Sequence, residues 1–190
     1  EVQKLGLAAT TPAGEPLLTG EGPADAERDT HLASLQDEWD RGERQALRHA
    51  SGTFCAAYYY PREEIGLLVA DRLGLRPLYY VVVGDLVYFA SALRILEALA
   101  EVPKKVDVLS VTEMTSFGYP FCGGTPYAGI RMLEPCEVVT IRDGDLRSSG
   151  YFRWDSITPS PEREEVALRT TYAKFRSAVR RRLRNDKTVF

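Results

Sequence analysis

The order of apolar and polar positions divides the chain into a strand-rich middle and helical flanks. Thr53–Tyr60 is small and aromatic, Ile65–Ala70 aliphatic, Leu78–Val83 β-branched and aromatic, and Leu86–Ala90 apolar again. Runs of this length and composition predict strands. Gly84-Asp85, between the last two, predicts a hairpin turn, and Asp143-Gly144 does the same between Glu137–Arg142 and Leu146–Phe152. Helical spacing of Leu32, Leu35, Trp39 and Leu47 predicts an amphipathic helix over 29–49, broken near Gly42. Shorter helices are expected over 91–100 and 107–116. After the linker Thr158–Pro161, Leu168, Tyr172, Phe175, Val179 and Leu183 recur at helical steps, which predicts a last helix with one buried face, ending near Asn185-Asp186. The first 28 residues carry less pattern. Val2, Leu5 and Leu7 suit a short strand, and Pro16-Leu17-Leu18 is a second short apolar run. Antiparallel hairpins with helices before and after them imply an α+β layered domain.

Composition narrows the class. At 190 residues, with 44% hydrophobic and 27% charged positions, the chain fits one soluble domain with a sizeable core. No apolar run approaches the roughly 20 residues of a membrane span, and the start shows no leader of basic, apolar and small regions. A formal net charge of −3 argues against a nucleic-acid partner. The arginines at 180–182 and Arg184 lack interleaved aromatics for base stacking, so they imply a solvated helix face or a domain contact. Cys55, Cys122 and Cys136 form no CxxC pair and are odd in number, and only His31 and His49 accompany them. That excludes a closed disulfide framework and gives no metal site. Reduced thiols and a cytoplasmic location are expected, with no membrane partner.

Residues 52–99 carry a more specific pattern. Gly52-Thr53-Phe54-Cys55-Ala56-Ala57 is followed by Ala70-Asp71-Arg72-Leu73-Gly74-Leu75-Arg76-Pro77-Leu78-Tyr79-Tyr80, and then by Tyr88-Phe89-Ala90-Ser91 leading to Ile95-Leu96. This resembles the glutaminase domain of the asparagine synthase family, in which "GxFA", "ARDRxGxxPLYY" and "FASExxAL" segments occur in that order. Thr125 to Pro135 is similar to the family's "T-[FY]-xx-I-xx-L-P-P-G" stretch, with Cys136 in place of its last Gly. Tyr151-Phe152-Arg153-Trp154 resembles the closing "YW". Most of these positions suit scaffold rather than chemistry: Asp71-Arg72 and Gly74 hold a turn, and Pro77-Leu78-Tyr79-Tyr80 enters a strand.

The resemblance implies a four-layer αββα sandwich of two antiparallel sheets, as in class II glutamine amidotransferases and Ntn hydrolases. It places a glutaminase-like domain at 1–157, and at 158–190 a linker and helix leading toward an ATP-using synthetase domain. The partners it implies are that synthetase domain, glutamine, and a second copy in a homodimer. ATP and Mg²⁺ are expected for the synthetase domain, and no cofactor for residues 1–190.

Family members use an N-terminal cysteine as nucleophile with its own α-amine as base, and amide donors to hold the oxyanion. This chain starts Glu1-Val2-Gln3, so no catalytic residue is assigned with certainty. Thr19-Gly20-Glu21 falls where the family has its oxyanion loop "NGE", which gives Thr19 and Gly20 as a vestigial oxyanion site and Glu21 as a substrate-binding residue. Thr19 offers a hydroxyl where an amide NH₂ belongs. Lys4 falls at the Arg that grips the glutamine carboxylate, keeping the charge without the bidentate fork. Asp29 falls at the Asp that holds the ammonium, but only seven residues separate it from Glu21, where the family has a helix and loop. Three departures in one pocket imply a degenerate glutaminase kept as a scaffold, as in relatives such as β-lactam synthetases and lasso peptide cyclases. A working glutaminase whose cysteine precedes Glu1, and a binding module unrelated to amide synthesis, are the alternatives.

Overall fold

The computed structural model describes residues 17–21, 46–50 and 53–182. The expected strand around Val2 to Leu7, most of the helix at 29–49, and the chain beyond 182 lie outside these residues. The described residues fall into two compact units, one of residues 17–21 and 53–152, the other of residues 46–50 and 153–182.

The first unit holds eight described strands: β1 (Leu17–Glu21), β2 (Thr53–Tyr60), β3 (Ile65–Ala70), β4 (Tyr79–Val83), β5 (Leu86–Ala90), β6 (Arg131–Met132), β7 (Glu137–Arg142) and β8 (Asp145–Gly150). Two antiparallel sheets result, with orders β1-β2-β3-β7-β8 and β5-β4-β6. The strands read from alternation match within a residue or two. β6 was not foreseen, because two residues are too short to show a period of two. It pairs with Tyr79 and Tyr80 of β4.

Period-two geometry decides how the sheets meet. In the five-stranded sheet Ala57 faces Leu68, and Leu68 faces Val139, across neighbouring strands. These residues join Cys55, Ala70 and Ile141 in one core cluster with Leu78, Val87 and Leu133 from the other sheet's side, and Tyr80 and Phe89 pack against it. The sheets therefore lie face to face over a shared apolar core. The alternate positions of β4 and β5 (Tyr79, Val81, Tyr88 and Ala90) turn the other way. They pack with Leu96 of helix α2 (Leu93–Glu97) and with Val102 and Ile130. The far face of the five-stranded sheet is also dry, since Phe54, Ala56, Leu67, Val69 and Val138 are buried. All six residues of β3 are buried, as expected of a central strand covered on both faces. The domain is an α+β layered sandwich built on two antiparallel sheets.

Between the sheets the chain crosses twice, and one side chain holds both crossings. Leaving β3, the chain turns at Asp71, which is fully buried. Its carboxylate accepts hydrogen bonds from the backbone N–H groups of Leu73 (2.8 Å), Leu75 (3.3 Å) and Arg76 (3.2 Å) in the turn, and of Phe54 (3.1 Å) on β2. A buried carboxylate loses its hydration and needs such a ring of donors. Gly74 sits in the turn at φ +61, and a Cβ there would lie 3.1 Å from Pro135. On the return crossing, the N–H of Cys136 donates to the Asp71 carbonyl at 3.0 Å. The turn expected at Asp71-Arg72-Gly74 is present, organised from inside by the carboxylate.

The second unit contains α1 (Ala46–His49), a 3₁₀ turn at Trp154–Ser156 and α4 (Glu164–Arg182). In the first unit, α3 (Val108–Phe117) is capped by the Asp107 carboxylate and ends at left-handed Gly118. The expectation of a buried face on the last helix is corrected. Leu168, Tyr172, Phe175 and Val179 are all exposed, Leu168 by 68%. A helical period shows that a face is apolar; it does not supply the surface that covers it. Among the described residues no helix is long and apolar enough to cross a membrane.

Asp71→Ala leaves up to four N–H groups without their acceptor and should cost about 3–5 kcal/mol of unfolding free energy, measured by urea denaturation. A loss below about 1 kcal/mol would show that the crossings do not depend on the carboxylate.

Candidate functional site

Thr19, Gly20 and Glu21 lie within β1. The sequence placed them in a loop after a short strand; the strand instead continues through Glu21. Their β2 partners are Cys55, Phe54 and Thr53 respectively. Lys4 and Asp29 lie outside the described residues.

This register fixes the direction of the Gly20 backbone. In an antiparallel ladder, the N–H and C=O of one residue face the same neighbouring strand, and successive residues alternate sides. Phe54 spends both groups on Asp71: its N–H donates to Asp71 Oδ2, and its C=O accepts from the Asp71 N–H at 3.0 Å. Phe54 therefore faces away from β1, and its partner Gly20 belongs to a non-hydrogen-bonded pair. Thr19 and Glu21 exchange bonds with β2, while the N–H and C=O of Gly20 point off the outer edge of β1. Among the described residues β1 is an edge strand, and no strand takes up that side of it.

Several residues around Asp71 fix this end of the sheet. The N–H of Tyr151 donates to the Cys136 carbonyl at 3.0 Å, and the Tyr151 hydroxyl donates to the Ala70 carbonyl at 3.0 Å. The Cys136 thiol donates to the Arg72 carbonyl at 3.2 Å. Arg72 places its guanidinium 4.4 Å from the centre of the Phe152 ring. Cys136 adopts φ +64, a left-handed conformation that costs a non-glycine residue roughly 1–2 kcal/mol. The sequence carried the signal, because this residue stands where the similar stretch ends in glycine, but it could not show that Cys136 keeps the glycine's backbone. Burial pushes the Tyr151 hydroxyl well above its ordinary value, with Cys136 and Asp71 adding to the rise and Arg72 opposing it. Burial also raises the Cys136 thiol, against the pull of Arg72.

The other motif residues behave as scaffold. Thr125 is buried, and its hydroxyl donates to the Ile130 carbonyl at 2.8 Å. Cys55 lies in the core, and Cys122 is an exposed thiol in the loop after α3. Among the described residues no group of three or more His, Cys, Asp or Glu is placed to hold a metal ion.

Comparison with known proteins defines the class first. A family model described as "Glutamine amidotransferase domain" matches residues 24–152, and the chain belongs to that family. More particularly, it is similar to asparagine synthetases. It is 23% identical over 164 residues to asparagine synthetase [glutamine-hydrolyzing] 3 of Bacillus subtilis (strain 168), covering 86% of this chain and 26% of that protein. It is 26% identical over 146 residues to asparagine synthetase [glutamine-hydrolyzing] 1 of the same organism, covering 76% and 23%. The chain thus spans about a quarter of the length of these relatives. Among solved structures, a glutamine phosphoribosylpyrophosphate amidotransferase from B. subtilis, complexed with ADP and GMP, aligns over 75% of this chain and 30% of its own. The TM-score is 0.40 at 15% identity, a likeness too loose to carry any argument.

The raised Tyr151 and Cys136 groups set an alkaline limit on stability. Each stays protonated in the folded protein at a pH where the unfolded chain has released its proton, so unfolding gains as pH rises. Stability should fall from about pH 9 upward as the thiol and then the phenol titrate in the unfolded state. Tyr151→Phe should cost about 1 kcal/mol at neutral pH and make the decline above about pH 10 shallower, both read from urea midpoints across pH.

Proposed function

We propose that this chain is a degenerate glutaminase-like domain, serving as a scaffold for the adenylating synthetase domain of an ATP-dependent, amide-forming enzyme. The observation that carries the proposal is the state of β1. Gly20 offers a backbone donor at the sheet edge, while its neighbour is Thr19 where a working pocket needs an amide. Loss of one oxyanion donor costs roughly 10²–10³-fold in rate. Lys4 for Arg, and the short interval from Glu21 to Asp29, support the same reading. The curated relatives are glutamine-hydrolysing by name and about four times as long as the part matched, which leaves room for a synthetase domain.

ATP with Mg²⁺ would activate a carboxylate in that domain. The exposed stripe Leu168, Tyr172, Phe175 and Val179 on α4 is the surface suited to pack against the synthetase domain of the full protein. A second reading, a working glutaminase whose nucleophilic cysteine precedes Glu1, is favoured by the outward Gly20 N–H alone.

The discriminating experiment is intact mass together with ammonia release from glutamine, on the full-length gene product. No N-terminal cysteine and no ammonia above background is the expected result. A processed N-terminal cysteine with turnover would make the domain a working glutaminase. For the scaffold role, Tyr172→Lys combined with Phe175→Glu should change the thermal stability of this chain alone by no more than about 0.5 kcal/mol, since both side chains are exposed. The same pair should destabilise the full-length protein clearly. An equal, small effect in both would remove α4 as the docking helix.

A further inference from the structure

We propose that the outward side of α3, with the aromatic loop that follows it, is a self-complementary interface on which a second copy of this chain packs antiparallel.

The surface is marked by what it lacks. Between Val106 and Gly124 the charged residues are Asp107 and Glu113, and both are engaged within the segment. The Asp107 carboxylate caps α3 through the N–H groups of Leu109 and Ser110, and Glu113 Oε2 accepts from the Phe121 N–H at 2.8 Å. Val108, Thr112 and Thr115 follow at steps of four and three, so they share one side of the helix. All three are exposed. A solvated helix side ordinarily carries charge. Here even the hydroxyls are satisfied within the helix: Thr112 donates to the Val108 carbonyl and Thr115 to the Thr112 carbonyl, both at 2.8 Å. Such a side asks a partner for no hydrogen bond.

Bulkier groups stand at the two ends. Val108 and Leu109 are 73% and 68% exposed at the start of α3, and Phe117, Tyr119 and Phe121 are 62%, 59% and 40% exposed at its close. The rings lean on one another, with Phe121 5.2 Å from both Phe117 and Tyr119. Their loop is tied down as well. The Gly123 carbonyl accepts from the Met132 N–H at 2.8 Å, and Arg131 donates to the Cys122 carbonyl at 2.9 Å. The cluster is therefore ordered before any partner arrives, which lowers the entropy lost on binding.

An aliphatic end, a small middle and an aromatic end fit the same surface reversed. In an antiparallel pair the aromatic cluster of each copy meets Val108 and Leu109 of the other. Thr112 of one then lies beside Thr115 of the other, where small side chains let the helices approach closely. Each contact is made twice, as a two-fold interface requires. With an aromatic ring burying about 150–250 Å², the five bulky residues together offer roughly 500–700 Å² at their observed exposure. The threonines bring this near the roughly 800 Å² per partner of a standard interface. A strongly charged partner would find nothing here to pair with.

Sedimentation of the chain from about 1 to 200 µM should show a reversible monomer–dimer equilibrium, as an interface of this size supports. Thr112→Lys should weaken the dimer at least about tenfold by setting a long charged side chain in the close approach. The urea midpoint of the monomer should hold, because the site is exposed and lysine is the better helix former. Thr115→Glu should weaken the dimer likewise. An equimolar mixture of the two variants should recover it, since opposite charges then meet across the pair. Ser149→Lys, at an exposed position of β8, should leave it intact.

A chain that stays monomeric throughout overturns the proposal and leaves the surface to residues outside the described ones or to the synthetase domain. A dimer indifferent to Thr112→Lys also overturns it; loss of that dimer with Tyr172→Lys and Phe175→Glu would assign the contact to α4. Weakening by both α3 variants with no recovery on mixing refutes the pairing too, because the surface would then meet something other than itself.

Discussion

One buried carboxylate sets the geometry of this domain. Asp71 stands where the chain leaves the five-stranded sheet for the three-stranded one, and its oxygens are met by four backbone amides from two segments. The cost of burying a charge is offset by these bonds, so the turn, the start of β2 and the departure of the chain are settled together. Its carbonyl receives Cys136, where the chain returns. Both crossings between the sheets are therefore tied within a few ångströms of the same residue.

The layers depend on that anchoring. With the crossings fixed, Leu68, Val139 and Ile141 meet Leu78, Val87 and Leu133 across the core, and the opposite face of β4 and β5 is left for Leu96, Val102 and Ile130. The conformation of Cys136 shows the constraint acting on sequence. Glycine would take φ +64 without strain, yet a cysteine is held there by packing, by its N–H to Asp71 and by its thiol to the Arg72 carbonyl. A residue persists in such a conformation only when its surroundings over-determine it.

The fold and the chemistry have different requirements, and the chain separates them. Residues that maintain the sandwich are all in place, from the Asp71 ring to the Thr125 hydroxyl that ties its loop to Ile130. On the proposed reading, the departures fall instead at Thr19, at Lys4 and in the short span before Asp29. Core packing and pocket donors draw on different residues, so the two can vary separately.

The sequence by itself determined the strands, the hairpin turns, the last helix and the family, because alternation, turn residues and helical spacing are local and survive in a single chain. It also placed Asp71 and Gly74 in a turn. Tertiary structure alone decided the rest. The two-residue strand β6 exists because β4 offers it a partner, not because of any period in its own residues. The apolar stripe of α4 is plain in the sequence, but whether Leu168 and Phe175 are covered depends on surfaces the pattern does not contain, and they are exposed. Thr19, Gly20 and Glu21 could be matched to a motif, but the direction of the Gly20 N–H comes from the pairing of β1 with β2, in which Gly20 meets Phe54, 34 positions further along the chain. A hydrogen bond between distant segments leaves no periodic trace in either of them, so only the folded chain could show which side of β1 pairs with β2.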